Sequence, residues 1–390
     1  MIKEFLNNYA IYGGSPLFSK VKPTSNLVKP NRSLLKKYFN HYLSYGHNTI
    51  IKLLEERLAS FHKVKHCITF NSGFWALAQS IRCISTPQKN EVIIPSLTYR
   101  RLGDLVSWCG KTPVFCDISK KTLALCNKSV QSECSTDTSL IIGVHPVGDH
   151  IDIDGLTSIA KEYNIPIIFD SVESVAESHH SKILGNNGDL EVYSLGASKL
   201  INGFEGGYIT TNSDNIARKI RKNSKFDGSE SFLNIPLPGI NASAALSSLE
   251  EIAIQIKKNK LRFETYKKGL ELIPEIRLKE QCLKTKPSYK NIIVELLENW
   301  PLSIDDTIKI LNAENILARK YCPPITDNHL LYNFRQAKLK NTDWAKNRFI
   351  SMPCGHLVSE IDIKKIISLL LSIKNHFNIP STKLKNIKVG

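Results

Sequence analysis

Apolar and polar positions along the chain alternate between a helical and an extended period. The segment TIIKLLEERLASFH places Ile51, Leu54, Leu58 and Phe61 on one helical face. Short apolar runs rich in β-branched residues follow it, separated by intervals long enough for helices such as GLTSIAKEY. The runs are HCITF (66–70), EVIIP (91–95), TPVFCDI (112–118), SLIIGVH (139–145), PIIFD (166–170), LEVYS (190–194) and GYITT (207–211). This alternation predicts an α/β domain with a largely parallel sheet.

The pattern changes after Pro236 and Pro238. One long helical stretch follows, INASAALSSLEEIAIQIKKNKLRFETYKKGLELI, and then a mixed α+β pattern that ends in the amphipathic EIDIKKIISLLLSIKNHF. We therefore expect a boundary near residue 245. It separates a large α/β domain over residues 1–245 from a smaller α+β domain over residues 246–390.

Composition narrows the class of protein. The chain has 390 residues, of which 42% are hydrophobic and 23% charged, as in globular proteins. No leader-like start and no apolar stretch of membrane-spanning length is present, so a cytoplasmic protein without a membrane partner is expected. The net charge of +16 is spread along the chain without a nucleic-acid-binding signature, so no nucleic-acid partner is expected. The nine cysteines form no CxxC pair, and we expect no metal site.

Several polar residues stand where strands end. Ser72 and Gly73 follow HCITF, Asp170 ends PIIFD, Ser194 ends LEVYS, and Lys199 comes shortly after Ser194. Each could have an ordinary structural role: a strand-to-helix turn, a helix cap or a solvated lysine. Ligands of open α/β sheets bind at this edge, however, and a phosphate turn, a carboxylate, a hydroxyl and a lysine form the set that holds pyridoxal phosphate.

The same segments carry a family resemblance. ITFNSGFWAL, IIFDSVES and LGNNGDLEVYSLGASKLINGFEGGYITT resemble the phosphate turn, the aspartate strand and the lysine loop of the DegT/DnrJ/EryC1/StrS family. These enzymes are pyridoxal-phosphate-dependent aminotransferases of the aspartate-aminotransferase-like fold, fold type I. The resemblance implies transfer of an amino group from glutamate or glutamine to a nucleotide-linked keto-sugar or a related cyclic ketone, in cell-surface glycan or antibiotic biosynthesis. It also implies a homodimer with shared active sites.

The resemblance assigns roles to individual residues. Lys199 would be the catalytic lysine, which binds the cofactor as a Schiff base and moves the proton. The other cofactor-binding residues that it implies are Ser72, Gly73, Phe74 and Ser194 at the phosphate, Tyr99 stacked on the ring, Asp170 at the pyridine nitrogen, Glu173 near the phenolic oxygen, and Asn234 reaching the partner subunit's cofactor. Arg100, Arg101 and Tyr321, the last in RKYCPP, are candidate substrate residues.

Several positions depart from the family pattern, among them Phe74, Glu173, Phe204, Pro236 and the pair Asn223-Ser224. Phe74 replaces a threonine of the phosphate turn, Phe204 replaces a glycine, and Glu173 stands where glutamine or histidine is usual. A carboxylate at this anionic place has to be protonated or paired with a cation. The departures leave two alternatives open: a divergent enzyme of the same cofactor acting on a non-sugar ketone, and a non-catalytic partner subunit. Retention of both Lys199 and Asp170 argues against the second alternative.

Overall fold

The computed structural model describes residues 9–25, 28–29, 31–223, 236–280, 285–327 and 330–377. Its helices are α1 (Arg32–Tyr45), α2 (His47–His62), α3 (Gly73–Ile84), α4 (Leu102–Trp108), α5 (Asn127–Glu133), α6 (Ile153–Glu162), α7 (Asp214–Asn223), α8 (Gly239–Glu250), α9 (Ile252–Leu270), α10 (Ile304–Ala313), α11 (Lys340–Ala345) and α12 (Glu360–Phe377). Its strands are β1 (His66–Phe70), β2 (Glu91–Pro95), β3 (Thr112–Cys116), β4 (Thr138–Val144), β5 (Ile167–Asp170), β6 (Ser178–His179), β7 (Lys182–Ile183), β8 (Leu190–Ser194), β9 (Gly207–Thr211), β10 (Ile276–Leu278), β11 (Thr285–Lys286), β12 (Ile292–Leu296), β13 (Arg319–Lys320), β14 (Arg335–Gln336) and β15 (Phe349–Met352).

The central sheet has the strand order β1-β9-β8-β5-β4-β2-β3-β14. β9 runs antiparallel to both of its neighbours, and the other adjacent pairs are parallel. Each apolar run predicted as a strand from residue 66 to residue 211 forms one, with ends that differ by at most two residues. The predicted α/β fold with a mostly parallel sheet is confirmed.

Helices cover both faces of this sheet. Successive side chains of a strand point to opposite faces, so Val92 and Ile94 of β2 pack with α3 and α4, whereas Ile93 packs with the cluster of α5 and α6. All three side chains are fully buried. Burial on both faces explains why the strands are continuous apolar runs rather than alternating ones.

A second sheet, β10-β12-β15-β13, organises the C-terminal part together with α9 and α12. Its core includes Tyr266, Leu270 and Leu370, and it also takes in Tyr9 and Phe18 from the start of the described chain. The first described residues therefore pack with the C-terminal core, and β14 returns from there to pair with β3. The boundary near residue 245 stays a prediction.

The single long helix predicted after Pro238 is wrong. The stretch forms two helices, α8 and α9, which are interrupted at Glu251. α8 is buried along most of its length against α1 and α2, whereas α9 packs on α12. The break lets one continuous sequence contribute to two different cores, a requirement that helical periodicity does not reveal. Among the described residues, no helix is both long enough and apolar enough to span a membrane.

Candidate active site

Several of the predicted site residues gather at one edge of the central sheet. β1, β8 and β5 run in the same direction, so Ser72, Ser194 and Asp170 follow or end strands at their shared C-terminal edge. This is the edge at which open α/β sheets bind their ligands.

The predicted phosphate turn is closely packed. The hydroxyl of Ser72 caps α3 by accepting a hydrogen bond from the Trp75 backbone N–H at 3.3 Å. A Cβ atom added to Gly73 would lie 3.0 Å from the Ser194 Cβ, and one added to Gly207 would overlap the Gly73 backbone. Both glycines are therefore needed to bring the start of α3 beside Ser194. The free N–H groups and positive dipole of a helix start suit a phosphate.

Phe74 lies in the first turn of α3. Its half-buried ring packs edge-on against Trp75, with ring centroids 5.4 Å apart. The residue thus brings an apolar side chain where the family threonine brings a hydroxyl, and its contribution to an anion site is limited to the backbone.

Lys199 lies in the turn between β8 and β9. The Lys199 backbone N–H donates to the Gly196 carbonyl at 2.9 Å, and the next two residues, Leu200 and Ile201, are fully buried. The Asn202 side chain donates to the Ala197 carbonyl at 3.2 Å and closes the turn. Buried neighbours on one side and hydrogen bonds on the other fix the position from which the lysine side chain starts.

The ammonium of Lys199 is paired with the carboxylate of Glu173. One oxygen of Glu173 accepts a hydrogen bond from Lys199, and the other accepts one from Lys290 and a longer one, 3.3 Å, from the Asn291 amide. The side chain of Lys290 is only 4% exposed. Glu173 is therefore a carboxylate between two ammonium groups.

These contacts set the ionisation of the group. Burial by itself would raise the pKa of Glu173, but the charges and hydrogen bonds of Lys199 and Lys290 outweigh it and hold that pKa well below its usual range. Burial lowers the pKa of Lys290, and the charge of Glu173 acts against this. Of the two conditions expected for Glu173, pairing with a cation and protonation, the structure has the pairing.

Asp170 ends β5 and is half-buried. Burial raises its pKa to about 6, against the lowering effect of the Val172 backbone N–H, which donates to Oδ1 at 3.2 Å. The backbone N–H of His145, at the end of β4, donates to the Asp170 carbonyl at 3.0 Å. The carboxyl group is therefore held by backbone contacts, and a positively charged ring nitrogen placed against it would offset the cost of its burial.

The remaining predicted residues are placed in different ways. Tyr99 is 58% exposed, and Arg100 and Arg101 beside it are also exposed, between β2 and α4. Tyr321 is buried against Phe349, where it lines a cavity of about 210 Å³. Asn234 lies outside the described residues.

Comparison with known proteins identifies the family. Residues 39–371 match the model of the DegT/DnrJ/EryC1/StrS aminotransferase family. The chain belongs to this family. The match confirms the resemblance on which the predicted fold and enzyme class rest, and it makes the protein an aminotransferase.

Curated relatives agree with this assignment, and a solved structure shares the fold. A GDP-perosamine synthase of Caulobacter vibrioides is 27% identical over 81% of this chain and 88% of its own. A dTDP-4-amino-4,6-dideoxy-D-glucose transaminase of Shigella dysenteriae is 27% identical over 82% of this chain and 89% of its own. The structure of DesI in the presence of its TDP-sugar product superposes with a TM-score of 0.90 at 24% identity, covering 97% of this chain and 99% of that one.

The residues of this aminotransferase fit the cofactor of its family. The edge of the sheet offers a glycine-lined helix start for the phosphate, a partly buried carboxyl group at Asp170 for the ring nitrogen, and one lysine on a fixed turn. Lysine, carboxylate and anion site are the donor set that pyridoxal phosphate requires.

Sequence reasoning missed Lys290 and Asn291. They precede β12, more than a hundred positions beyond Glu173 and outside the predicted large domain. The available signal was indirect: a glutamate expected near an anionic cofactor calls for a cation beside it, and SYKNIIVEL places a lysine two residues before a buried strand. Nothing in the linear pattern distinguishes this lysine from the many solvated ones.

Proposed function

We propose that the protein is a pyridoxal-phosphate-dependent sugar aminotransferase that moves an amino group from glutamate or glutamine to a nucleotide-linked keto-sugar. The observation that carries the proposal is that Lys199 pairs with Glu173, three residues beyond Asp170, at the sheet edge where Gly73 packs closely against Ser194. The names of the curated relatives, which are sugar-nucleotide enzymes, support this substrate class.

The residues of the chain divide the work. Ser72, Gly73 and Ser194 would hold the phosphate, and Asp170 the protonated ring nitrogen. When bound, the cofactor supplies an electron-withdrawing ring that stabilises negative charge on the substrate carbon. The amine of Lys199 would then accept the proton from the reacting carbon of the amino donor and deliver it to the cofactor.

Glu173 and Lys290 would set the charge around that amine. When Lys199 is engaged with the cofactor, Lys290 is the cation that remains on the carboxylate. The pair then adds no net charge beside the cofactor oxygen. This allows the chain to carry a glutamate at this position and still bind an anionic cofactor.

We further propose that the protein is cytoplasmic and forms a homodimer in which each active site contains residues of both subunits. Phe204 and Ile240 are exposed apolar residues on two segments that are joined by a hydrogen bond from the Asn241 side chain to the Gly203 carbonyl at 2.8 Å. Exposed apolar residues that follow the lysine turn suit a partner surface. Mixing Lys199→Ala with Asn234→Ala subunits should then restore about a quarter of the wild-type sites, since half of the dimers are mixed and each has one intact site. No gain over the separate variants in confirmed heterodimers would contradict site sharing.

The function is tested with the purified protein, pyridoxal phosphate and two substrates. Glutamate plus a GDP-linked or dTDP-linked keto-sugar should yield 2-oxoglutarate and the amino sugar in equal amounts, measured by mass spectrometry. Borohydride should fix the cofactor on the peptide that contains Lys199, and Lys199→Ala should abolish both results. Amino transfer to a non-sugar ketone alone would favour the divergent enzyme, and no reaction with any donor would favour a non-catalytic subunit.

A further inference from the structure

A second cluster of ionisable side chains lies on the surface of the large domain. Oδ2 of Asp154 is 3.3 Å from Nε2 of His179 and 3.0 Å from Nε2 of His180. The three candidate ligand atoms all lie within 4.8 Å of one another. Two neighbouring histidines thus converge on one carboxylate oxygen.

The β6–β7 hairpin brings the histidines together. Side chains of adjacent strand residues point to opposite faces, so a regular strand could not direct both rings to one point. His179 ends β6, and the turn residues His180 and Ser181 both have left-handed backbone angles, with φ of +47° and +60°. This geometry is typical of a two-residue hairpin turn that normally takes asparagine and glycine. It places the two imidazole centroids 4.1 Å apart.

Helix α6 supplies the third group. Asp154 lies in its first turn, and the preceding Asp152 caps the helix by accepting from the Gly155 backbone N–H at 3.1 Å. The Asp152 side chain is therefore occupied, whereas the Asp154 carboxylate points to the hairpin.

We propose that Asp154, His179 and His180 bind one divalent transition-metal ion, for which Zn²⁺ is the best match. Two ligands bonded at about 2.0–2.1 Å to a tetrahedral ion lie roughly 3.3 Å apart. The observed nitrogen–oxygen separations of 3.0 and 3.3 Å agree with this value. Imidazole nitrogen favours Zn²⁺, Ni²⁺ or Cu²⁺ over Mg²⁺ and Ca²⁺, which prefer oxygen ligands. With His180 50% and Asp154 68% exposed, water completes the coordination.

The position of the cluster indicates that the ion would have a structural role. The hairpin pairs with β11, so Thr285 lies opposite His179. Immediately before the hairpin, Glu177 accepts hydrogen bonds from the Ser288 backbone N–H and hydroxyl at 3.1 and 2.8 Å. An ion joining α6 to the hairpin would therefore stabilise the segment that leads to Lys290. The expectation that the chain has no metal site came from cysteine spacing, which cannot detect ligands that only the fold assembles.

Zn²⁺ titration of the chelator-treated holoenzyme by calorimetry tests the proposal. We expect one ion per chain, at least about tenfold weaker binding in Asp154→Asn and in His180→Gln, and no displacement by excess Mg²⁺. The matched control is His66→Gln. His66 is partly exposed and pairs with Asp214 at 2.7 Å, an aspartate that also pairs with Lys65, and replacing His66 should leave Zn²⁺ binding unchanged.

Two further readouts distinguish binding at this cluster from binding to thiols and from loss of the fold. Cu²⁺ electron paramagnetic resonance should show two imidazole nitrogens in the wild type and one in His180→Gln, which thiol binding would not produce. Circular dichroism and the visible band of the bound cofactor should be unchanged in both variants, so that weaker binding reports ligand loss and not unfolding. Absence of Zn²⁺ binding, or equal binding in the wild type and both site variants, would show that the cluster is only a hydrogen-bonded group and overturn the proposal.

Discussion

Lys290 donates a hydrogen bond to the carboxylate of Glu173, whose other oxygen accepts one from Lys199. The contact joins the segment before β12 to the residues that follow β5, and it places a nearly buried ammonium group on the same carboxylate as Lys199. Removing one member of such a pair leaves an uncompensated charge next to Lys199.

The first prediction concerns this charge pair. In Lys290→Met the lone Glu173 carboxylate favours a proton on the Lys199 nitrogen, so the visible absorbance of the bound cofactor should titrate about one pH unit higher. Glu173→Gln should shift it in the opposite direction. The double variant should return close to the wild-type titration, because neither charge remains. Equal shifts in both single variants would show that the pair does not act through its charge.

The second prediction concerns Asp170, whose pKa is about 6 in this structure. Below this pKa the free protein carries a proton on Asp170 and the free cofactor carries one on its ring nitrogen. The two groups share a single proton in the complex, so one proton must be released on binding. As the pH drops below about 6, the affinity for the cofactor should therefore decrease by up to tenfold per pH unit. The Asp170→Asn variant should bind the cofactor more weakly, and its affinity should not depend on pH in this range. Fluorescence titration with pyridoxal phosphate between pH 5 and 8 measures both effects.

Asp170 should also reduce the stability of the protein without its cofactor. The pKa of Asp170 is higher in the folded protein than in the unfolded chain. The stability that Asp170 contributes is therefore present below the pKa of the unfolded chain and lost as the pH rises through about 6. At pH 7 the cofactor-free Asp170→Asn variant should be more stable than wild type, by up to about 3 kcal/mol for this shift. Urea unfolding at pH 7 and pH 4 measures this, and the advantage should disappear at the lower pH.

The third prediction concerns acid stability. His62 is buried, its Nε2 lies 2.9 Å from the Tyr208 hydroxyl, and burial lowers its pKa to about 4. The unfolded chain binds a proton near pH 6.5 and the folded chain does not, so stability should fall as pH drops from 6.5 towards 4. The loss is about 2 kcal/mol at pH 5.

His62→Gln is the variant that checks this assignment. It lowers stability at neutral pH by removing a buried hydrogen bond, but its urea midpoint should depend less on pH between 6.5 and 5 than that of wild type. The partly exposed His66, replaced by Gln, serves as the control, and this variant should keep the wild-type dependence of the urea midpoint on pH. A His62→Gln protein with the full acid slope would assign the effect to other groups.

The fourth prediction concerns the close approach at the phosphate turn. A Cβ at position 207 would overlap the Gly73 backbone, so Gly207→Ala must displace α3 or β9. We expect a loss of about 1–3 kcal/mol in the free energy of unfolding, together with weaker cofactor binding. Gly196→Ala is the control for stability, because a Cβ there would lie 3.4 Å from the Ser194 hydroxyl, an ordinary contact. Equal costs at both positions would contradict the packing argument.

The sequence by itself determined the central sheet and the strand ends that form the core of the candidate site. Strands that are buried on both faces consist of continuous apolar runs, which the sequence shows directly. Because these strands run parallel, the residues at their ends, such as Asp170 and Ser194, lie at one edge of the sheet. Lys199 and the turn at Gly73 were recognisable for the same reason, since both lie within a few residues of a predicted strand end.

Only the tertiary structure decided the contacts between distant segments. Lys290 meets Glu173, and Asp154 meets His179 and His180, because strands and helices from separate parts of the chain pack side by side. The break at Glu251 likewise depends on two cores that compete for one helical stretch. Hydrophobic periodicity shows which face of a helix or strand is buried, but not which other element packs against that face. Charge pairs between distant segments depend on which elements pack together, so periodicity cannot predict them.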